Sequence, residues 1–245
     1  MALTEEQAWT LTAAGLVALA DGVLKGGEAG RILSLVEEKL DPEEQHVWID
    51  LLSDPAGLWE RARTLPRPPA DRVPEILRVG WSIALVDGEG SSDEIQVLER
   101  LGDLLGVERA RVTEWRKAWT IQASEIAQYV AHFAAILFHR RGDAAREPAQ
   151  SIGPEARAEF DALLARLPLS EARRARARRL LDQEPTIDEL GSALLFAAPE
   201  RRGQALEELA RFIRNGNYGD LGRRLFLALA ARMAVPEDIA RVILG

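Results

Sequence analysis

Cysteine is absent from all 245 residues, which excludes disulfides, thiolate metal sites and cysteine nucleophiles. Histidine occurs only at His46, His132 and His139, so hydrolysis by a histidine-activated nucleophile is not expected. Of the 31 basic residues only Lys25, Lys39 and Lys117 are lysine. The arginine excess fits a GC-rich bacterial genome better than a guanidinium-specific function. No basic-then-apolar leader opens the chain, because Thr4, Glu5 and Glu6 come first. The most apolar helical stretch, near Ala123 to Phe138, carries Glu125, Gln128 and His132 and is too short to span a bilayer. A cytoplasmic protein is therefore expected. Phosphate loops, HExxH and dinucleotide fingerprints are also missing. Strands are not expected, since β-branched residues are sparse and no run alternates apolar with polar.

What is present describes a folded helical chain: 47% of residues are hydrophobic and 29% charged. The formal charge of −8 is uneven, with 13 basic against 22 acidic residues in 1–122 and 18 against 17 in the remainder. An acidic first half argues against nucleic acid as a partner there. Trp9, Ala13, Leu16, Val17 and Ala20 fall on one helical face, as do Ile76, Gly80, Ile83 and Ala84. Thr4 with Gln7 and Thr186 with Glu189 have capping-box spacing. Asp41-Pro42-Glu43-Glu44 marks another helix start, with proline in the first turn and acids facing the positive dipole end.

One local design occurs twice. Ala20-Asp21-Gly22 is followed by Glu28, and Val86-Asp87-Gly88 by Glu94; the step from Asp21 to Asp87 equals the step from Glu28 to Glu94. In each copy an apolar helix ends in Asp-Gly and a carboxylate follows at the start of the next helix. Fainter echoes extend the period: Leu104-Leu105-Gly106-Val107-Glu108 resembles Arg166-Leu167-Pro168-Leu169-Ser170, and Met233-Ala234-Val235-Pro236-Glu237 resembles Leu167-Pro168-Leu169-Ser170-Glu171. Pro66-Arg67-Pro68-Pro69 separates the first two copies, and Arg141 to Pro154 is a polar loop. The predicted fold is all-α, with about a dozen helices in duplicated antiparallel hairpins. Two domains are expected, residues 1–122 and a divergent 123–245.

The duplicated Asp-Gly with its following Glu resembles the TerB-like tellurite-resistance family, most closely over residues 1–122. The resemblance implies an all-helical fold of duplicated hairpins, a link to stress and tellurite resistance, and acidic residues with a suggested affinity for metal. The fourth copy offers Asn215-Gly216-Asn217-Tyr218 with Gly222 in place of the Glu, and the third Arg141-Gly142-Asp143 out of frame. The acidic pairs are thus confined to the first half.

Two readings of Asp21, Glu28, Asp87 and Glu94 are open. Each Asp can cap a helix or tighten a turn, with Gly22 and Gly88 supplying positive φ, while each Glu complements a helix dipole. Alternatively, four carboxylates from two loops converge on a hard cation such as Ca²⁺ or Mg²⁺, with Glu89 and Asp93 enriching the second loop. Neither loop has EF-hand spacing. Glu125, His132 and His139 lie seven apart, about 10.5 Å per step, too far for one metal, and read as a polar stripe at a helix contact. Gly80-Trp81-Ser82-Ile83-Ala84 lacks the second glycine of a nucleophile elbow and sits in a helical pattern. Arg173, Arg174, Arg176, Arg178 and Arg179 make a basic helix whose only narrow apolar side is Ala172, Ala175 and Leu169. It is a candidate surface for an acidic partner, including the protein's own acidic half. All six tryptophans lie in the first half, and Trp115 with Trp119 form a candidate anchor. The leading expectation is a non-enzymatic scaffold or adaptor in a bacterial stress-response complex. A divalent-cation sensor is the alternative, and a hydrolase with an unrecognised site comes third.

Overall fold

The computed structural model describes residues 4–22, 26–39, 42–52, 54–86, 90–142, 152–216 and 218–245. Among these residues there are thirteen helices and no strand, so the fold is all-α. The chain forms two compact units, Met1–Ile121 and Gln122–Gly245.

In the first unit the helices are α1 (Glu5–Ala18), α2 (Gly26–Lys39), α3 (Pro42–Leu51), α4 (Pro55–Thr64), α5 (Val73–Ala84), α6 (Ser92–Leu105) and the beginning of α7 (Arg109–Gly142). α1 starts in a complete capping box: Gln7 N–H donates to Thr4 Oγ1 at 3.2 Å, and Thr4 N–H donates to Gln7 Oε1 at 2.9 Å. The one-sided helix expected from Trp9, Ala13, Leu16 and Val17 is not what forms. Every residue from Ala8 to Ala18 is buried, because α1 is surrounded by α2, α4, α5 and α6. The two buried threonines are made compatible with that position by back-bonding, Thr10 Oγ1–H to Glu6 O at 2.8 Å and Thr12 Oγ1–H to Ala8 O at 2.7 Å. α5 does behave as read, burying Ile76, Gly80, Ile83 and Ala84 on the face that meets α1. At that crossing Gly80 has no room to spare: a Cβ there would sit 3.3 Å from Ala13 O. The proline-rich link is tied down at its start, by Trp9 Nε1–H to Pro66 O at 2.7 Å and by Arg67 Nη2–H to Leu105 O at 2.8 Å. The second bond places a cation at the carbonyl end of α6, where it complements the dipole.

The second unit contains the rest of α7, then α8 (Pro154–Ala165), α9 (Glu171–Leu180), α10 (Ile187–Phe196), α11 (Pro199–Asn215), α12 (Gly219–Arg232) and α13 (Glu237–Leu244). Neither glycine nor proline interrupts residues 107–141, so the expected domain boundary at 122/123 falls inside one continuous helix. From Phe133 to Phe138 every residue of α7 is buried. Phe133, Ile136 and Leu137 face a core built on Leu190, Leu209, Phe226 and Leu229. Ala131, Ala134, Ala135 and Phe138 face a second core on Phe160, Leu164 and Leu169. The helix is therefore a wall between two cores of its own unit. Phe138 meets Phe160 edge-on, with centroids 5.7 Å apart. The three echoed segments prove to be turns between helices, joining α6 to α7, α8 to α9 and α12 to α13.

Candidate functional site: the two acidic loops

The first loop begins where α1 runs out. Leu19 N–H still bonds Gly15 O and Ala20 N–H bonds Val17 O; Gly22 N–H then turns back to Leu19 O, all at 3.0–3.1 Å. Gly22 takes φ +79°, as expected, and Asp21 is exposed beside it. Glu28 follows as the third residue of α2 and is only 1% exposed. Neither Asp21 nor Glu28 is without a partner.

The second loop repeats this spacing with different residues. Asp87, Gly88 and Glu89 lie outside the described residues, so the candidate ligand Asp87 and the expected positive φ of Gly88 are not located. The chain resumes at Gly90, itself at φ +78°, and Ser91 caps α6. Glu94 N–H donates to Ser91 Oγ at 3.2 Å, and Ser91 N–H donates in return to Glu94 Oε2. Glu94 is again the third helical residue and 6% exposed. Its carboxylate therefore holds the helix start, as the structural reading supposed, and Ser91-Ser92-Asp93-Glu94 is a capping box overlooked in the sequence. In the first loop the residue equivalent to Ser91 is Lys25, whose side chain has no acceptor to offer.

Beneath the second loop lies Trp81, fully buried. Gly90 rests on its ring so closely that a Cβ would overlap the indole. Trp81 Nε1–H donates to Thr120 Oγ1 at 2.9 Å, Thr120 passes its own proton to Arg116 O at 2.8 Å, and the Arg116 guanidinium stands 5.4 Å from the indole centroid. The position equivalent to Trp81 in the first copy is Gly15, and there Leu52 and Leu58 occupy the space. Among the described residues no three His, Asp or Glu side chains form a group that could hold a metal.

Residues 7–117 match the family model described as tellurite resistance protein TerB. Over this stretch the chain is similar to the TerB family. No curated protein and no solved structure matches the chain at a significant level. The TerB match contains both acidic loops and Trp81, and it ends before the second unit begins at Gln122.

Of the other candidates, Trp115 inside the matched stretch and Trp119 just past it are half-buried, 6.0 Å apart, with Arg111 5.4 Å from the Trp115 ring. Ser82 is helical, and its hydroxyl bonds Val79 O at 2.6 Å, so no nucleophile elbow exists there. In the second unit, the inner side of the basic helix is not Ala172 and Ala175: Ala172 is exposed, and the buried row is Leu169, Ala177 and Leu181, spaced by eight and four. Arg173 shares that row and donates to Ser124 Oγ on α7. Arg174 reaches Leu167 O at 3.5 Å, and Arg178 bonds Asp161 at 2.8 Å and Glu171 at 2.7 Å. Arg176 and Arg179 are exposed. The residues of the stripe on α7 go separate ways: Glu125 pairs with Arg201 of α11, His139 Nε2 lies 3.4 Å from Leu180 O of α9, and His132 between them is half-buried. Burial holds the His132 imidazole below the ordinary histidine range, and Glu189 pulls weakly the other way.

Proposed function

We propose that this protein is a non-enzymatic helical adaptor in a tellurite-resistance-like stress response, built on a TerB domain. The family context supports this, since TerB proteins are in general not enzymes. The observation that carries the reading is the state of the loop glutamates. Glu28 and Glu94 are buried at the same helical register, and Glu94 is engaged in a cap. Acids used this way organise the domain and leave recognition to its exposed surface. Trp115, Trp119, Arg176 and Arg179 are the side chains we assign to a protein partner. The domain also reads as two copies of one helical hairpin, α1–α2 and α5–α6. The contact of α1 with α5 at Ala13 and Gly80, one step from equivalent positions of the two copies, supports this, as does the packing of each first helix on the other copy's second.

The alternative is a divalent-cation sensor using Asp21, Glu28, Asp87 and Glu94, favoured by the exposure of Asp21 beside a left-handed glycine. A calorimetric and thermal-shift titration with Ca²⁺, Mg²⁺, Mn²⁺ and Zn²⁺ separates the two. The adaptor reading expects no heat and no stabilisation at millimolar metal, together with tellurite sensitivity in a deletion strain. That sensitivity should not be rescued by a folded Arg176→Glu/Arg179→Glu variant. Metal-dependent stabilisation that disappears in Asp21→Asn or Asp87→Asn would transfer the assignment to the sensor.

A further inference from the structure

The second unit holds a cavity of about 120 Å³ lined by Leu137, Phe138, Arg141, Tyr218 and Leu221. Its floor is apolar and rigid: Leu137 and Phe138 are buried, and Phe138 is braced edge-on by Phe160. Tyr218 forms a wall that is fixed on several sides. Its ring lies 4.8 Å from Phe212, and it covers Gly216 so closely that any Cβ there would overlap the phenol. Its own N–H bonds Gly216 O at 2.8 Å. Gly216 stands in the fourth copy where the first two carry the glycine of Asp-Gly, with Asn215 in place of the Asp.

One edge of the cavity is polar. Arg141 donates through Nη1 to both oxygens of Glu159, at 3.2 and 3.5 Å. The hydrogen bonds it makes to described residues run through Nη1 to Glu159; the Nε–Nη2 edge is the one with which a guanidinium grips a carboxylate. Tyr218 lines the same cavity as Arg141, and burial raises its phenol above the ordinary tyrosine range, with Glu159 adding to the rise and Arg141 opposing it. A purely apolar void of this size would be dry packing space. An apolar pocket with a guanidinium and a phenol at one end has the makeup of a site for a small amphiphile.

We infer that this cavity binds a short-chain carboxylate, its alkyl end against Leu137, Phe138 and Leu221 and its carboxylate between Arg141 and Tyr218. Size sets the chain length, because a cavity of about 150 Å³ takes benzene and one slightly smaller takes an anion of about six heavy atoms, such as butyrate. The inference concerns residues outside the TerB match and does not rest on the adaptor reading.

The test uses the full chain with butyrate, 1-butanol and butylammonium, followed by saturation-transfer NMR and calorimetry. Butyrate should bind saturably, at least tenfold more tightly than 1-butanol, and butylammonium should not bind. Arg141→Gln, at an exposed position, should erase the preference of butyrate over butanol; Tyr218→Phe should weaken butyrate severalfold without changing butanol. Leu221→Trp should fill the cavity and abolish both. No saturable butyrate binding, equal binding of butanol by the unmodified protein, or butyrate affinity untouched by Arg141→Gln would each overturn the assignment.

Discussion

Two helix ends demand the same backbone geometry and meet it with different residues. After α6, Gly106 stands at φ +76°, with Val107 N–H bonded to Gly102 O at 2.9 Å and Gly106 N–H to Asp103 O at 3.1 Å. After α12, Ala234 stands at φ +56°, with Val235 N–H on Ala230 O at 2.9 Å and Ala234 N–H on Ala231 O at 3.0 Å. Both are Schellman caps, and the left-handed conformation costs an L-residue about 1–2 kcal/mol. Glycine in exchange loosens the unfolded chain by about 0.4–1 kcal/mol. Ala234→Gly should therefore stabilise the protein by about 0.5–1 kcal/mol. Gly106→Ala should do the reverse and more, since its Cβ would overlap the Arg67 guanidinium and displace the 2.8 Å bond to Leu105 O. Losing that bond adds about 0.5–1.5 kcal/mol, for a net cost of about 1–2 kcal/mol. Urea unfolding gives the readout. All six tryptophans lie in the first unit, so their fluorescence follows that unit while far-UV ellipticity follows both. Gly106→Ala should lower the fluorescence midpoint, and Ala234→Gly should raise the ellipticity midpoint. A destabilising Ala234→Gly, or a neutral Gly106→Ala, would refute the equivalence of the two turns.

Ser91→Ala removes the hydroxyl that caps α6 and should cost about 1 kcal/mol, visible as a lower urea midpoint in tryptophan fluorescence; an unchanged midpoint would mean that the Glu94 carboxylate suffices. Gly90→Ala combines φ +78° with overlap on Trp81 and should cost about 2 kcal/mol or more, with a changed near-ultraviolet band from the displaced indole. For His132, whose folded pKa lies below its unfolded value of about 6.5, the unfolded chain binds the proton more readily. Stability should be intact above that unfolded value and decline as pH falls below it. The decline should flatten in His132→Gln; equal slopes in the two proteins would show that His132 titrates alike folded and unfolded.

Local chemistry explains which parts of the fold were readable. The Thr4–Gln7 and Thr186–Glu189 boxes form as their spacing indicates, because a cap needs only its own four residues. Ser91 and Glu94 carry the same signal, masked by the reading of Glu94 as one of four possible metal ligands. The burial of α1 on every side was available too, since no charge occurs between Ala8 and Ala20. A periodicity argument looks for one apolar face and is blind to a helix that four others enclose. α9 shows the opposite failure. Its alanines suggested an apolar side, but the anchoring row runs through Leu169 and Leu181 at its two ends, with the stem of Arg173 lying between them.

The duplicated loops mark where spacing stops being informative about chemistry. Their common offset preserves the helical register, putting Glu28 and Glu94 at the third position of their helices. It says nothing of what lies beneath or beside each loop, which distant segments supply. In the second copy Trp81 supports Gly90 and is held by Thr120; in the first, the equivalent Gly15 leaves its space to Leu52 and Leu58. After the second, Ser91 shares the helix start with Glu94; the equivalent position in the first copy's sequence is Lys25, a positive charge with no acceptor. Equal registers with unequal surroundings cannot have equal affinities, because ligand binding depends on the neighbouring charge and on the stiffness of the support. By sequence, a cation at Asp21 would have to overcome Lys25 four residues on, whereas Asp87 is followed by the acids Glu89 and Asp93 within six residues. If either loop binds metal, Asp87→Asn should therefore reduce the affinity more than Asp21→Asn, and the reverse order in a calorimetric titration would show that the register outweighs its surroundings.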